Sequence, residues 1–403
     1  MSRGPRLILT LFPVILVAYL YCGWKLYHAI IQNFWFPPGQ VKLYLVGAIA
    51  YLNLHPVLLL IFSVTGLHKI ASFAVRGHKL WDIPFGYPFW FGVILVVEML
   101  PWLLAIDLIK LPFFPFYKSF KASWLQIQFR VILALFVLIG LYVFFKAIID
   151  TTRIRRSETM LSYPNLPISW DGLKIVHISD MQADSRAGKR KLKRYVKKVN
   201  RLQPDIVFFT GDLVTASKYI DLGARMLGSI RSKYGTYACL GDHDIWSDEK
   251  EIKQSLKYHG VTMLEDSNQF IRVGNDSLMA TFVTNTYDRR PPLDKLNMLM
   301  GQQPRGVLDI LLTHQPTESL IELAAERGYH IVLAGHTHGG QILFRFFGLT
   351  IAAPRMESPY YKGMSHIEQM MLSINNGLGF TFAPIRYNAS AEITLIKIVR
   401  QPG

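Results

Sequence analysis

The chain has 403 residues, 51% of them hydrophobic, a mean hydropathy of +0.23 and a net charge of +16. It is too long for one ordinary domain and too apolar for a wholly water-soluble chain. Its two cysteines, Cys22 and Cys239, exclude a disulfide framework and a cysteine zinc site, and fit a reducing compartment.

The apolar excess lies at the front. Of 44 Lys/Arg and 28 Asp/Glu, residues 1–150 hold 12 and 4. A bilayer core of about 30 Å takes roughly 20 apolar residues as helix. Four stretches, about 7–31, 43–67, 88–109 and 124–149, meet that length and are expected to be four spanning helices, with Trp24, Trp35, Trp81, Trp90 and Trp124 near their ends. The first stretch lacks a small-residue cleavage site and is read as a span, not a signal peptide. An even number of spans puts both ends on one side. That side carries nine basic residues (Arg3, Arg6, Lys69, Arg76, Lys79, Lys146, Arg153, Arg155, Arg156) against five opposite (Lys25, Lys42, Lys110, Lys118, Lys121), which favours a cytoplasmic C-terminal region. His55, Glu98, Asp107 and Arg130 fall in or near the spans, where ionisable groups are costly. The expectation is a Glu98–Arg130 pair between helices, with Asp107 and His55 near an interface or water. The segment 110–124 reads as an interfacial loop.

Residues 151–170 read as a linker, and 171–403 as one globular domain. Within it, short apolar runs alternate with amphipathic stretches. "LKIVHISD" (173–180) is a strand ending in Asp180. The helix predicted over 188–202 buries Leu192, Tyr195, Val196, Val199 and Leu202 and turns eight Lys and Arg outward. That charge run is a solvated face or a surface for anionic lipid headgroups. "PDIVFFTGD" (204–212) ends in Asp212, and "YGTYACLGDHD" (234–244) ends in Asp242, His243 and Asp244. "VLDILLTHQP" (307–316) ends in His314, and "YHIVLAGHTHGG" (329–340) ends in His336 and His338. Strands follow at 366–377 and 391–399.

Strand after strand thus ends in Asp or His, usually followed by Gly or Pro, and ligand sites in α/β sheets form beyond the carboxyl ends of strands. Asp180, Asp212, Asp242, His243, His314, His336 and His338 are expected to converge at one edge. Carboxylates mixed with imidazoles suit manganese, iron or zinc, and seven groups suffice for two ions with Asp212 as the bridge. His177, His330 and His366 read as structural, and Arg386 as a phosphate contact or a salt-bridge partner.

This ordered set resembles the calcineurin-like metallophosphoesterase superfamily over about 171–400. "GHTHGGQI", "NNGLG…PIR" and "AEITLIKI" are similar to its membrane-anchored bacterial-type branch. The resemblance implies a four-layer α/β/β/α sandwich of two mixed sheets behind a four-helix transmembrane region. It implies Asp180, Asp212 and His338 around a first ion and Asp212, Asp242, His314 and His336 around a second. His243 would protonate the leaving oxygen, with Asp244 orienting it or capping a helix. Two positions depart from the pattern. Gln182 stands where the family has His and offers a neutral carbonyl oxygen as ligand. Asp242 stands where the family has Asn and adds a charge. Asp184 is a substitute ligand or a loop opener.

The reading that follows is a metallophosphoesterase in a bacterial inner or plasma membrane, its catalytic domain cytoplasmic, with the extracytoplasmic side as the alternative. It would hydrolyse a phosphoester or pyrophosphate bond of a lipid-like substrate with water activated by two divalent ions, manganese, iron or zinc. Its partners would be the bilayer and that substrate, not nucleic acid. The alternatives are a membrane scaffold or sensor with a degenerate metal site, and a nucleotide or nucleic-acid phosphodiesterase.

Overall fold

Residues 3–67, 70, 73–74, 77–111, 117–163, 166–302 and 308–400 are described by the structure, a computed structural model. The chain divides into two compact units. One is Met1–Ile149 with Phe344–Thr350 and Phe382–Asn388; the other is Asp150–Leu343 with Ile351–Thr381 and Ala389–Gly403.

In the first unit the apolar runs fold as α1 (Arg3–Asn33), α2 (Pro38–Leu52), α3 (Leu54–Val64), α4 (Tyr87–Leu108) and α5 (Tyr117–Thr152). Among the described residues, three helical stretches are long and apolar enough to cross a membrane: Ile8–Asn33, Lys79–Leu108 and Ser119–Thr152. The second of the four expected spans is instead α2 and α3, bent by 53° at Asn53, so a fourth crossing exists only if this pair counts as one. Pro56 gives the physical reason. It has no N–H for the Leu52 carbonyl, and its ring crowds that carbonyl. The Asn53 side chain turns back to the Ile49 carbonyl at 2.8 Å. The bend bears on sidedness, because three crossings would put the two ends of the helical region on opposite faces. Lys69, Arg76 and residues 112–116 of the expected interfacial loop lie outside the described residues, as do the side chains of Arg3, Arg6 and Lys118.

Three of the four ionisable groups singled out in the apolar stretches, Asp107, His55 and Glu98, have local partners. Asp107 pairs with buried Lys25 and accepts from the Tyr21 hydroxyl at 2.7 Å. His55 accepts from the Trp81 indole at 2.8 Å and stacks beside Phe89. The expected Glu98–Arg130 pair does not form among the described residues. Glu98 accepts from the Tyr387 hydroxyl at 2.8 Å, and Arg130 is exposed. Tyr387 belongs to one of the two late segments of this unit, and Phe347 of the other lies 6.2 Å from Trp102.

In the second unit the expected linker is not free chain, since it contributes β1 (Ile154–Tyr163). β1 pairs in parallel with β14 (Ala391–Arg400) along its whole length. The first sheet has the order β1-β14-β2-β3-β4-β5, with β2 Lys174–Ile178, β3 Ile206–Phe209, β4 Thr236–Ala238 and β5 Thr262–Met263. The second has the order β12-β13-β9-β8-β7-β6, with β6 Ser267–Val273, β7 Asp276–Val283, β8 Asp309–Thr313, β9 Ile331–Ala334, β12 Gly363–Ile367 and β13 Met370–Ile374, and β10 (Phe344–Phe346) pairs with β11 (Leu349–Ile351) as a two-stranded sheet.

Side chains alternate across each strand. Ile175, Phe208, Ile310, Leu312 and Leu333 meet between the sheets. Val176, Val207 and Phe209 face the other way, onto α6 (Lys189–Asn200), α7 (Ile220–Gly228) and α8 (Asp242–Tyr258). Leu311 and Val332 face α9 (Leu293–Met300) and α10 (Glu318–Glu326). Strands buried on both faces need unbroken apolar runs, and the sequence has them. β2, β3 and β4 run parallel in one sheet and β7, β8, β9 and β13 in the other, so their carboxyl ends gather into two rows.

Candidate metal centre

Each sequence-predicted ligand stands just beyond one of those carboxyl ends. Asp180, Asp212, Asp242 and His314 are buried, and so is His338; His336 is partly open. The chain reaches these positions through unusual backbone. Asp180, Gln182, Asp212, His336 and His338 all have φ between 46° and 68°, the left-handed region that side chains ordinarily avoid. Two glycines permit the close approach. A Cβ on Gly241 would lie 2.2 Å from Asp212 Oδ1, and one on Gly335 would lie 1.8 Å from Ser179 Oγ.

Two groups of side chains each bring ligand atoms within 4.8 Å of one another: Asp242, His314 and His336, and Asp180, Asp212 and His314. His314 Nδ1 donates to the Thr210 carbonyl at 2.7 Å, which aims Nε2 at Asp242 Oδ2 (3.4 Å) and Asp212 Oδ2 (3.5 Å). His336 Nδ1 lies 2.9 Å from Asp242 Oδ2, and His338 Nε2 lies 3.3 Å from Asp180 Oδ1. The shared member of the two groups is His314, where Asp212 was expected to bridge. Asp212 Oδ2 is occupied by the Gln182 amide at 2.7 Å.

The donor set fits divalent metal. Asp180 Oδ1 and His314 Nε2 are buried and carry no hydrogen bond, an expensive arrangement unless something else is held there. Burial alone would raise the Asp242 carboxyl, but the His314 and His336 imidazoles beside it outweigh burial and hold the group well below the usual range. Burial works against a charged imidazole at His314, yet the carboxylates of Asp212, Asp242 and Asp180 raise it well above the ordinary value.

Three sequence expectations meet different geometry. The Gln182 amide nitrogen, not its carbonyl oxygen, faces Asp212, while Oε1 accepts from the Thr215 hydroxyl at 2.7 Å. Asp244 does not orient the His243 ring; its carboxylate accepts from the backbone amides of Asp212 (2.8 Å), Leu213 (2.8 Å) and Gly241 (3.0 Å). This is the helix-cap role, and burial followed by the Asp212 charge pushes the Asp244 carboxyl up to about 7. Asp184 opens a loop, accepting from the amides of Arg186 and Ala187 at 2.6 Å each. His243 is half-buried on the first turn of α8, where its amide donates to Asp212 Oδ1 at 2.8 Å and its ring packs on Trp246. His177 is structural, lying between Ser373 and Thr210, and His330 pairs with Asp309. Arg386 is fully buried within the first unit.

Sequence reasoning missed three groups at the centre. Gln315, next to His314, donates to Asp242 Oδ2 at 3.0 Å, and the Tyr287 amide donates to Oδ1 at 2.7 Å. These two donors accommodate the extra charge at Asp242. Tyr287 and Trp246 form the aromatic rim. Only the closeness of Trp246 to His243 in the chain could have signalled it.

The profile of the calcineurin-like phosphoesterase family matches residues 173–340, which hold every predicted ligand. This region is a calcineurin-like phosphoesterase domain. The chain is 32% identical over 247 residues to a transmembrane protein with metallophosphoesterase domain of Danio rerio, covering 57% of this chain and 54% of that protein. It is 28% identical over 302 residues to an uncharacterized metallophosphoesterase, Cj0846, of Campylobacter jejuni, covering 73% and 76%. To the uncharacterized metallophosphoesterase YkuE of Bacillus subtilis it is 26% identical over 249 residues, covering 61% and 85%. The chain spans about half the length of the transmembrane relatives it matches. Inside the phosphoesterase domain, Gln182 and Asp242 remain its two departures from the expected motifs.

Proposed function

We propose that the chain is a membrane-bound hydrolase that cleaves a phosphoester or pyrophosphate bond of a lipid-like substrate. The carrying observation is the pair of ligand groups meeting at His314 with two buried, unbonded ligand atoms. Two divalent ions, of manganese, iron or zinc, would supply positive charge for the phosphoryl oxygens and a water acidic enough to attack near neutral pH. Asp180, Asp212 and His338 would hold one, and Asp242, His314 and His336 the other.

The remaining work belongs to the chain. His314 is fixed in one tautomer by the Thr210 carbonyl, so its Nε2 stays available to the centre. Asp212 is positioned from both sides, by the His243 amide and by Asp244 on its own backbone. His243, half-buried on the first turn of α8, would protonate the departing oxygen. A lipid-like substrate is supported by the apolar helices and by the late segments grouped with them, in which Phe347 is 82% and Leu349 71% exposed. The exposed basic face of α6 supports it too. A cytoplasmic catalytic unit rests on the basic-residue count if the bent pair crosses.

The test uses the full chain in detergent with Mn²⁺ and a simple phosphodiester. Turnover that needs metal and collapses in His243→Ala is expected. Bound metal with no turnover on either soluble or lipid phosphoesters would overturn the reading.

A further inference from the structure

Trp246 stands beside His243 with 52% of its surface open. The two are three residues apart on one turn of α8, hence on one face, with ring centroids 5.1 Å apart. The helix breaks directly afterwards, at Asp248 (φ −165°, ψ 92°), whose side chain accepts from the Glu251 amide at 2.9 Å and restarts it. Ser217 ties down the Ser247 carbonyl at 3.1 Å. The Trp246 indole N–H is held by Asp288.

A second ring is fixed alongside. Tyr287 lies parallel to Trp246 within 2°, with centroids 6.4 Å apart. Its amide is bound to Asp242, and its hydroxyl donates to Glu357 at 2.6 Å and lies 3.2 Å from His336 Nε2. The adjoining Arg289 clamps this loop to α8 through Glu249, at 2.6 Å. A tryptophan left half open would ordinarily be free to turn. Here the hydrogen bond to Asp288 holds its plane, at the rim of the candidate metal centre and against the His243 ring.

We propose that Trp246, backed by Tyr287, is a stacking platform for a planar aromatic ring of the nucleobase class, carried by the phosphoester substrate. The inference rests on the phosphoesterase reading of the centre and adds a substrate class to it. An aromatic face accepts any base by stacking. Asp288, at the platform's edge, accepts the indole N–H through one carboxylate oxygen and offers the other to an amino or hydroxyl group beside that ring.

The experiment measures heats of binding to the Mn²⁺-loaded full chain in detergent, with adenosine 5′-monophosphate, ribose 5-phosphate and inorganic phosphate. Wild type is expected to bind the nucleotide about tenfold or more tighter than ribose 5-phosphate. Trp246→Ala should close that gap to about twofold or less, with the phosphate affinity unmoved. Trp246→Leu keeps apolar bulk without the ring and should close it too; this variant decides if Trp246→Ala does not fold. Equal affinities in wild type, or a gap that survives in Trp246→Leu, would overturn the platform. Hydrolysis of a simple phosphodiester by the same preparation tests the phosphoesterase reading separately, since these heats need no turnover.

Discussion

Gln182 donates its side-chain amide to Asp212 Oδ2 at 2.7 Å while its carbonyl oxygen is taken by the Thr215 hydroxyl. Both ends of the group are used, and the end that could ligate an ion faces away from the carboxylates. An imidazole at this position would have a lone pair to offer the first ion. Gln182→His is therefore expected to tighten that ion by about tenfold or more. The check is metal content after desalting, with turnover on a phosphodiester rising alongside. Unchanged content would show that Gln182 is not what limits the first site.

His243→Ala removes the candidate proton donor without removing a ligand. Its contact with Asp212 is through the backbone amide, which alanine keeps. Turnover should fall by about 10²–10⁴-fold with metal content unaltered. The loss should be largest for esters with poor leaving groups and small for nitrophenyl esters, whose oxygen departs without a proton. An equal loss for both classes would contradict a general-acid role.

The metal-free protein should lose stability as the pH rises. His314 and His336 titrate higher in the fold than the ordinary histidine value, despite burial, because carboxylates surround them. A group raised on folding stabilises fully below its unfolded pKa, about 6.5, and that contribution is lost as pH climbs through the folded value. In chelator, Tm should thus fall from pH 7 towards alkaline pH. With Mn²⁺ the slope should flatten or reverse, because metal uptake displaces those protons. Scanning calorimetry at a series of pH values, with and without chelator, measures both.

Asp244 is expected to matter for stability more than for chemistry. It gathers three backbone amides at the turn that presents Asp212, and it is buried. Asp244→Ala leaves those donors without partners, at a cost of about 2–4 kcal/mol. Asp244→Asn, with one acceptor oxygen in place of two, should fall between. Denaturant unfolding of the three proteins ranks them; a ranking that appeared only in kcat would restore an orienting role on His243.

The centre was legible in the sequence because its logic is local. A strand buried on both faces ends, the chain turns sharply, and the turn residue is Asp or His next to Gly. Asp212, Asp242, His336 and His338 carry that signature, Asp180 and His314 end their strands without the glycine, and the structure gathers all six. What the sequence hid is non-local. Nothing in "FRFFGLT" or "FAPIRYN" says that these segments group with the apolar helices, yet Tyr387 supplies the hydrogen bond to Glu98 that Arg130 was expected to give. The partnership of β1 with β14 joins residues more than two hundred positions apart, so the same stretch reads as linker until its partner is known. Pro56 was visible, but hydropathy averages over a single proline and reports one span where the chain makes a bend.

The left-handed backbone at Asp180, Gln182, Asp212, His336 and His338 has a consequence for how this protein can change. Each such residue is held against its own conformational preference at a cost of about 1 kcal/mol or more. Glycine at any of these positions would relax the turn and abolish a ligand or its neighbour. Robustness and activity therefore pull in opposite directions at five positions, and a sequence optimised only to stay folded would drift towards an inert protein. A bound metal would supply the counterweight, since an ion that binds only the folded chain adds stability with the logarithm of its concentration over its Kd. The active sequence is favoured only where that ion is abundant.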